Sequence, residues 1–177
     1  MTRYAEAFAA AGLDVVTFNF PYLQAGRRLP DRAPVLEACF RAVIDAARAR
    51  PGLADVALFL GGKSMGGRMA TQLATDPPAG ARGVVSFGYP LHPPGRPDKP
   101  RTAHLPALRL PWLVVQGERD SFGTPAELEP VLASAGAGAT LQVVEGGDHS
   151  LLVRGTPIDT IRARVTGWVD SWTAARA

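Results

Sequence analysis

The stretch LFLGGKSMGGRMA, residues 58–70, holds a glycine–lysine–serine that fits two unrelated chemistries. In G-x-x-x-x-G-K-[ST] a loop backbone cradles phosphate and the lysine neutralises it. In G-x-S-x-G the serine is an exposed nucleophile at a sharp strand-to-helix turn. The phosphate loop needs a glycine five positions before Gly62, and the chain has Ala57 there. Leu58, Phe59, Leu60 and Gly61, which fill the interval, read as a buried strand and not as a concave nest of backbone N–H groups. The elbow pattern fits at every position, with Gly62, Ser64 and Gly66. A strand reversing into a helix strains the central residue, so both neighbours two positions away are expected to be glycine for want of room. Ser64 then sits at a helix start, where partial positive charge favours an anion. The backbone N–H of Met65 is placed as one oxyanion donor.

A serine hydroxyl is a weak nucleophile alone, so the elbow calls for an acid and then a histidine further along the chain. Of the three histidines, His92 and His104 lie in a proline-rich stretch, while His149 lies in EGGDHS at the exit of an apolar run. His149 is where the base is expected. WLVVQGERDSFG offers Asp120 as the acid; Glu118 and Asp148 are its rivals. Glu118 still alternates with the strand, and Asp148 is too close in sequence to orient His149 from behind. The resulting expectation is a Ser64–Asp120–His149 triad working without a cofactor. His92 and His104, twelve apart in a loop, are weak evidence for a metal, and none is expected. Lys63, His92, Arg96 and Arg101 are the candidates for contacts with substrate, although Lys63 reads more readily as an exposed side chain at the elbow. The charges of Lys63, Arg96, Lys99 and Arg101 favour an acidic or carboxylate-bearing ester.

The elements that must position these groups alternate along the chain. RYAEAFAAAG reads as a helix stopped by Gly12, and LDVVTFNFP as a buried strand closed by Pro21. APVLEACFRAVIDAARARPG has helical spacing, which puts Cys39 on an apolar face as a core thiol; DVALFL is a strand running into the elbow. The stretches MGGRMATQLAT, PAELEPVLASAG and PIDTIRARVTGWVDSWTAA read as helices, and RGVVSFGYP, PWLVVQGERD and ATLQVVEGGDH as strands. Apolar strands separated by helices of this size predict an α/β fold with a mostly parallel sheet covered on both faces, in one domain over residues 1–177. Residues 90–110 stand apart, within a segment that carries seven of the 16 prolines, as an ordered loop crossing the open end of the sheet near the active site.

Composition narrows the class. The chain has 177 residues, 46% hydrophobic and 20% charged, enough for one globular core. Net charge is +3, but the arginines are scattered singly, without a basic stripe interleaved with aromatics, so nucleic acid is not an expected partner. No apolar run approaches the roughly 20 residues of a membrane span. Arg3 and Glu6 interrupt any signal-peptide core, and the lone cysteine excludes an intramolecular disulfide; the expected compartment is the cytoplasm. The expected partner is a small acyl substrate.

GGKSMGGRMA, GYPLHPPGRPDKPRTAHL, QGERDSFGT and GGDHS together resemble the blocks of the alpha/beta-hydrolases of the dienelactone-hydrolase branch, most nearly the bacterial members of the testis-expressed and NSL-complex-subunit hydrolase-like family. The resemblance spans nearly the whole chain. It implies a three-layer alpha/beta-hydrolase fold, with Ser64 as nucleophile, Asp120 as acid and His149 as base. It also implies earlier strands, one of them ending in a loop that supplies a second oxyanion donor, so that Met1 reads as an internal methionine and the fold as N-terminally truncated. Without the strand that normally lies between DVVTFNF and DVALFL, those two must pair with each other or leave edges exposed, which would favour a homodimer. A weak serine esterase is expected.

Overall fold

The computed structural model describes residues 2–151 and 158–174. Helices α1 (Thr2–Ala9), α2 (Pro21–Gln24) and α3 (Ala33–Arg48) precede strand β1 (Leu58–Lys63), which runs into α4 (Met65–Leu73). Strands β2 (Ala81–Phe87) and β3 (Trp112–Gly117) follow, then α5 (Pro125–Ala133), β4 (Ala139–Val144) and α6 (Ile158–Ala174). The four strands pair in the order β1-β2-β3-β4, all parallel. Parallel neighbours need crossovers that cover the faces, and β-branched runs buried on both sides meet that need. Val84, Trp112 and Val114 point to one face, under Leu36, Phe40 and Ile44 of α3, Met69 and Leu73 of α4 and Leu128 of α5. Val85, Leu113 and Val115 point to the other, against Tyr4 and Phe8 of α1 and Ile161, Val165 and Val169 of α6. This three-layer arrangement is the expected fold class.

One expected strand is not formed. Residues 13–20 belong to no helix or strand. Leu13 and Phe20 make backbone hydrogen bonds to the neighbouring helices, and no backbone–backbone bond is made at residues 14–19. A strand is stable only through a ladder, and here no strand lies alongside to complete one. The segment is held instead by its aromatic side chains: Phe18 meets Phe20 at 5.2 Å and Phe40 at 5.0 Å, both edge to face. Between it and the free edge of β1 lies an apolar cavity of about 460 Å³, walled by Val16 and Phe18 on one side, Leu60 and Gly61 on the other, and closed by Ile44 and Val165. Of the two outcomes foreseen, pairing or exposed edges, the structure has the exposed edges. Val15 and Val16, at 39% and 47% exposure, are the consequence.

The proline-rich connection from β2 to β3 is packed, not slack. Tyr89, Leu91, Leu105, Leu108 and Leu110 are buried, and the Arg101 N–H donates to the Leu91 carbonyl at 2.7 Å. Cys39 is half-buried against the α3–α4 core, and burial raises its thiol pKa.

Backbone amides of residues 14–19 should therefore exchange with solvent at least about 10²-fold faster than those of β2, which is paired on both sides. Hydrogen-exchange mass spectrometry reads this directly; equal protection would mean that residues 14–19 are laddered in solution.

Candidate active site

The elbow forms because β1 must turn into α4 within one residue. Ser64 takes φ 52° and ψ −116°, a region L-residues rarely enter, while its N–H donates to the Phe87 carbonyl at 2.9 Å and its carbonyl accepts from Arg68 at 3.1 Å. The close contact that makes the turn is between backbones. A β-carbon on Gly62 would stand 2.7 Å from Gly66 Cα, and one on Gly67 would stand 2.8 Å from the Gly62 carbonyl oxygen. Gly66 differs from expectation, since a β-carbon there meets nothing within 4 Å. Its side would face outward, and the crowded pair is Gly62 with Gly67. The N–H groups of Met65 and its neighbours open α4 and have no intrahelical carbonyl to bond.

The structure brings Ser64, Asp120 and His149 together from the exits of β1, β3 and β4. His149 Nε2 lies 2.9 Å from Ser64 Oγ, and His149 Nδ1 lies 2.8 Å from Asp120 Oδ2 and 3.0 Å from Oδ1. Because a carboxylate only accepts, Nδ1 carries the proton and Nε2 is left to accept from the serine hydroxyl. Asp120 is fully buried, whereas the His149 side chain is 20% exposed. The rival acids serve the loop instead. Glu118 accepts from the Gly146 N–H at 2.7 Å, and Asp148 accepts from the Ser150 N–H at 2.8 Å. Asp148 is held below its ordinary pKa by its bonds from Ser150, with a smaller contribution from the charge of Lys63. Lys63 thus sits half-buried beside the histidine loop.

Two residues that the motif does not specify complete the site. Phe122 stacks on the His149 ring at 4.2 Å and 30°, and its N–H donates to Asp120 Oδ1 at 2.8 Å. Gln116, fully buried, donates through Nε2 to Asp120 Oδ2 at 2.9 Å and to the Gly123 carbonyl at 2.7 Å. Its Oε1 accepts from the Tyr89 N–H at 2.8 Å. A polar residue in an otherwise apolar strand, in register with Trp112 and Val114, is the signal that could have found it.

The other candidates separate. Arg96 pairs with Asp98 at an exposed loop tip, 3.0 Å apart. His92 is buried, with Nδ1 2.8 Å from the Pro93 carbonyl and Nε2 3.4 Å from Glu127. His104 Nε2 instead meets Thr71 Oγ1 at 2.9 Å, so the two loop histidines have different partners. Arg101 is tied to Tyr89, whose hydroxyl donates to the Arg101 carbonyl at 2.7 Å.

Gly62→Ala and Gly67→Ala should each disrupt folding or presentation of Ser64, whereas Gly66→Ala should leave the thermal midpoint nearly unchanged. Thermal melts of the three variants check this, and equal effects would contradict it. Gln116→Glu places a second carboxyl beside Asp120, which favours the imidazolium and moves the acid limb of the kcat/KM profile to higher pH. A limb at the parent's pH would show that Gln116 does not bear on His149.

Solved structures of similar fold include a dienelactone hydrolase from Anabaena variabilis, 22% identical, covering 97% of this chain and 78% of that one with a TM-score of 0.72. A lidless α/β serine hydrolase from Xanthomonas campestris is 23% identical, covering 97% and 72% at 0.74. An alpha-beta serine hydrolase homologue from Coxiella burnetii is 20% identical, covering 93% and 73% at 0.69. These likenesses show the fold. The family described as the alpha/beta hydrolase domain matches residues 1–172, and the chain belongs to that family.

Proposed function

We propose that the protein is a serine hydrolase that cleaves an ester or related acyl bond of a small substrate, within the branch resembling the testis-expressed and NSL-complex-subunit hydrolase-like proteins. The observation that carries this reading is the unbroken hydrogen-bond chain from Ser64 Oγ through His149 to the buried carboxylate of Asp120. Ser64 Oγ attacks the acyl carbon while His149 Nε2 takes its proton. Asp120 fixes the imidazole tautomer and stabilises the imidazolium. The tetrahedral oxyanion is met by the Met65 N–H at the head of α4. Collapse expels the alcohol, which takes the proton from Nε2, and water then releases the acyl group by the same steps. Lys63 and Arg101 are the residues assigned to meet the substrate in this reading, and their charges favour acyl groups that carry an anion.

The resemblance puts the second oxyanion donor in a loop ahead of α1. Residues 1–177 alone are then expected to turn over about 10²–10³-fold more slowly than a chain extended upstream through that loop. Equal rates for the two chains would contradict this.

One observation favours a second reading, a hydrolase-like interaction module: the open β1 edge with its apolar cavity, which is not lined by Ser64, Asp120 or His149. Steady-state kinetics with p-nitrophenyl butyrate separate the two. Asp120→Asn is expected to lower kcat about 10⁴-fold with the fold intact, as loss of the correct imidazole tautomer does elsewhere. A folded parent chain with no turnover above Asp120→Asn would favour the module.

A further inference from the structure

Arg68 lies one helical turn beyond Ser64, and helical side chains lean back toward the N-terminus, so its guanidinium is carried toward the nucleophile's end of α4. It shares that face with Thr71, whose hydroxyl donates to the Arg68 carbonyl at 2.7 Å. With its one proton so engaged, Thr71 Oγ1 accepts from His104 Nε2–H, 2.9 Å away. Tyr89, buried and stacked edge to face on Trp112 at 4.9 Å, ties Arg101 to the same place through its hydroxyl. The backbone just before Tyr89 reaches the triad, since a β-carbon on Gly88 would stand 3.2 Å from His149 Nδ1.

The guanidinium groups of Arg68 and Arg101 are close enough for the charge of one to act on the other, and neither is paired with an acid. Among the described residues the arginine ion pairs are those of Arg27, Arg41, Arg96 and Arg162; neither Arg68 nor Arg101 is in one. Arg68 Nε is buried with no hydrogen-bond partner, and Arg101 Nη1 reaches only the Pro90 carbonyl, at 3.5 Å. Like charges at close range raise each other's energy, and a buried N–H without a partner adds to that cost. The same surroundings, burial first and then the Arg68 charge, hold His104 neutral with a pKa of about 4. An oxyanion suits both forks together, because its paired oxygens match guanidinium geometry and its charge offsets theirs.

We infer that Arg68 and Arg101 form a subsite for an oxyanion carried on the acyl part of the substrate, a carboxylate or a phosphate a short chain away from the scissile carbonyl. This rests on the serine-hydrolase reading and adds the chemistry of its substrate. The His104–Thr71 bond and the Tyr89 hydroxyl brace the two arginine backbones from behind.

The test compares p-nitrophenyl butyrate with the equally long p-nitrophenyl half-ester of succinic acid, which differs in ending in a carboxylate. The parent chain should favour the half-ester in kcat/KM, chiefly through KM. In Arg101→Met that preference ratio should fall about 10- to 100-fold, and Arg101→Lys should restore part of it. A ratio near one in the parent, or the same ratio in Arg101→Met, overturns the subsite and leaves the nucleophile untouched. If neither ester turns over, thermal shift of the Ser64→Ala chain decides. Stabilisation by succinate or by inorganic phosphate that disappears with Arg101→Met supports the subsite and identifies which oxyanion it takes. The absence of stabilisation by both overturns it.

Discussion

The close approach of Gly62 to the backbone of Gly66 and Gly67 is the contact on which the site depends. It lets β1 reverse into α4 with a single residue between them, and that residue is forced to positive φ. The strain holds Ser64 at the rim of the sheet, where the exits of β3 and β4 bring Asp120 and His149. Two hydrophobic layers clamp the strands so that the reversal cannot relax by sliding. Sheet register then sets the spacing of the three exits, because β1, β2, β3 and β4 are paired in parallel with their ends on one side.

Burial of polar groups does the rest of the positioning. Asp120 has no exposure, and its carboxylate oxygens are met by His149, Gln116 and the Phe122 N–H, so no buried acceptor is left without a donor. Gln116 is also tied to Tyr89 and Gly123, which links the acid to the proline-rich connection and to the turn before α5. The loop that carries Arg101 and the loop that carries the acid are therefore coupled through one side chain.

Much of this was legible in the sequence for a physical reason. The elbow and the order of serine, acid and histidine are local patterns, and all the helices that pack on the sheet show their apolar faces at helical spacing. What was not legible depended on partners distant in the chain. Residues 13–20 have strand composition, yet a strand exists only where a neighbour completes the ladder, and the cavity beside β1 lies where that neighbour would be. Gly66 fits the motif although the crowding falls on Gly62 and Gly67, a distinction only the direction of each missing β-carbon reveals. Arg96 and His92 looked like substrate contacts by charge and place in the loop. Their short-range partners, Asp98 and the Pro93 carbonyl with Glu127, engage them elsewhere. Arg68 carried no motif of its own and became visible only when its unpaired guanidinium appeared beside that of Arg101.

The central claim is that the fold activates Ser64 as a nucleophile. Intact-mass detection of a fluorophosphonate adduct, on this chain and on Ser64→Ala, tests it most directly. One adduct per chain that disappears with Ser64→Ala is the predicted result. A folded parent chain that takes up no label, or one labelled equally with and without Ser64, would contradict it.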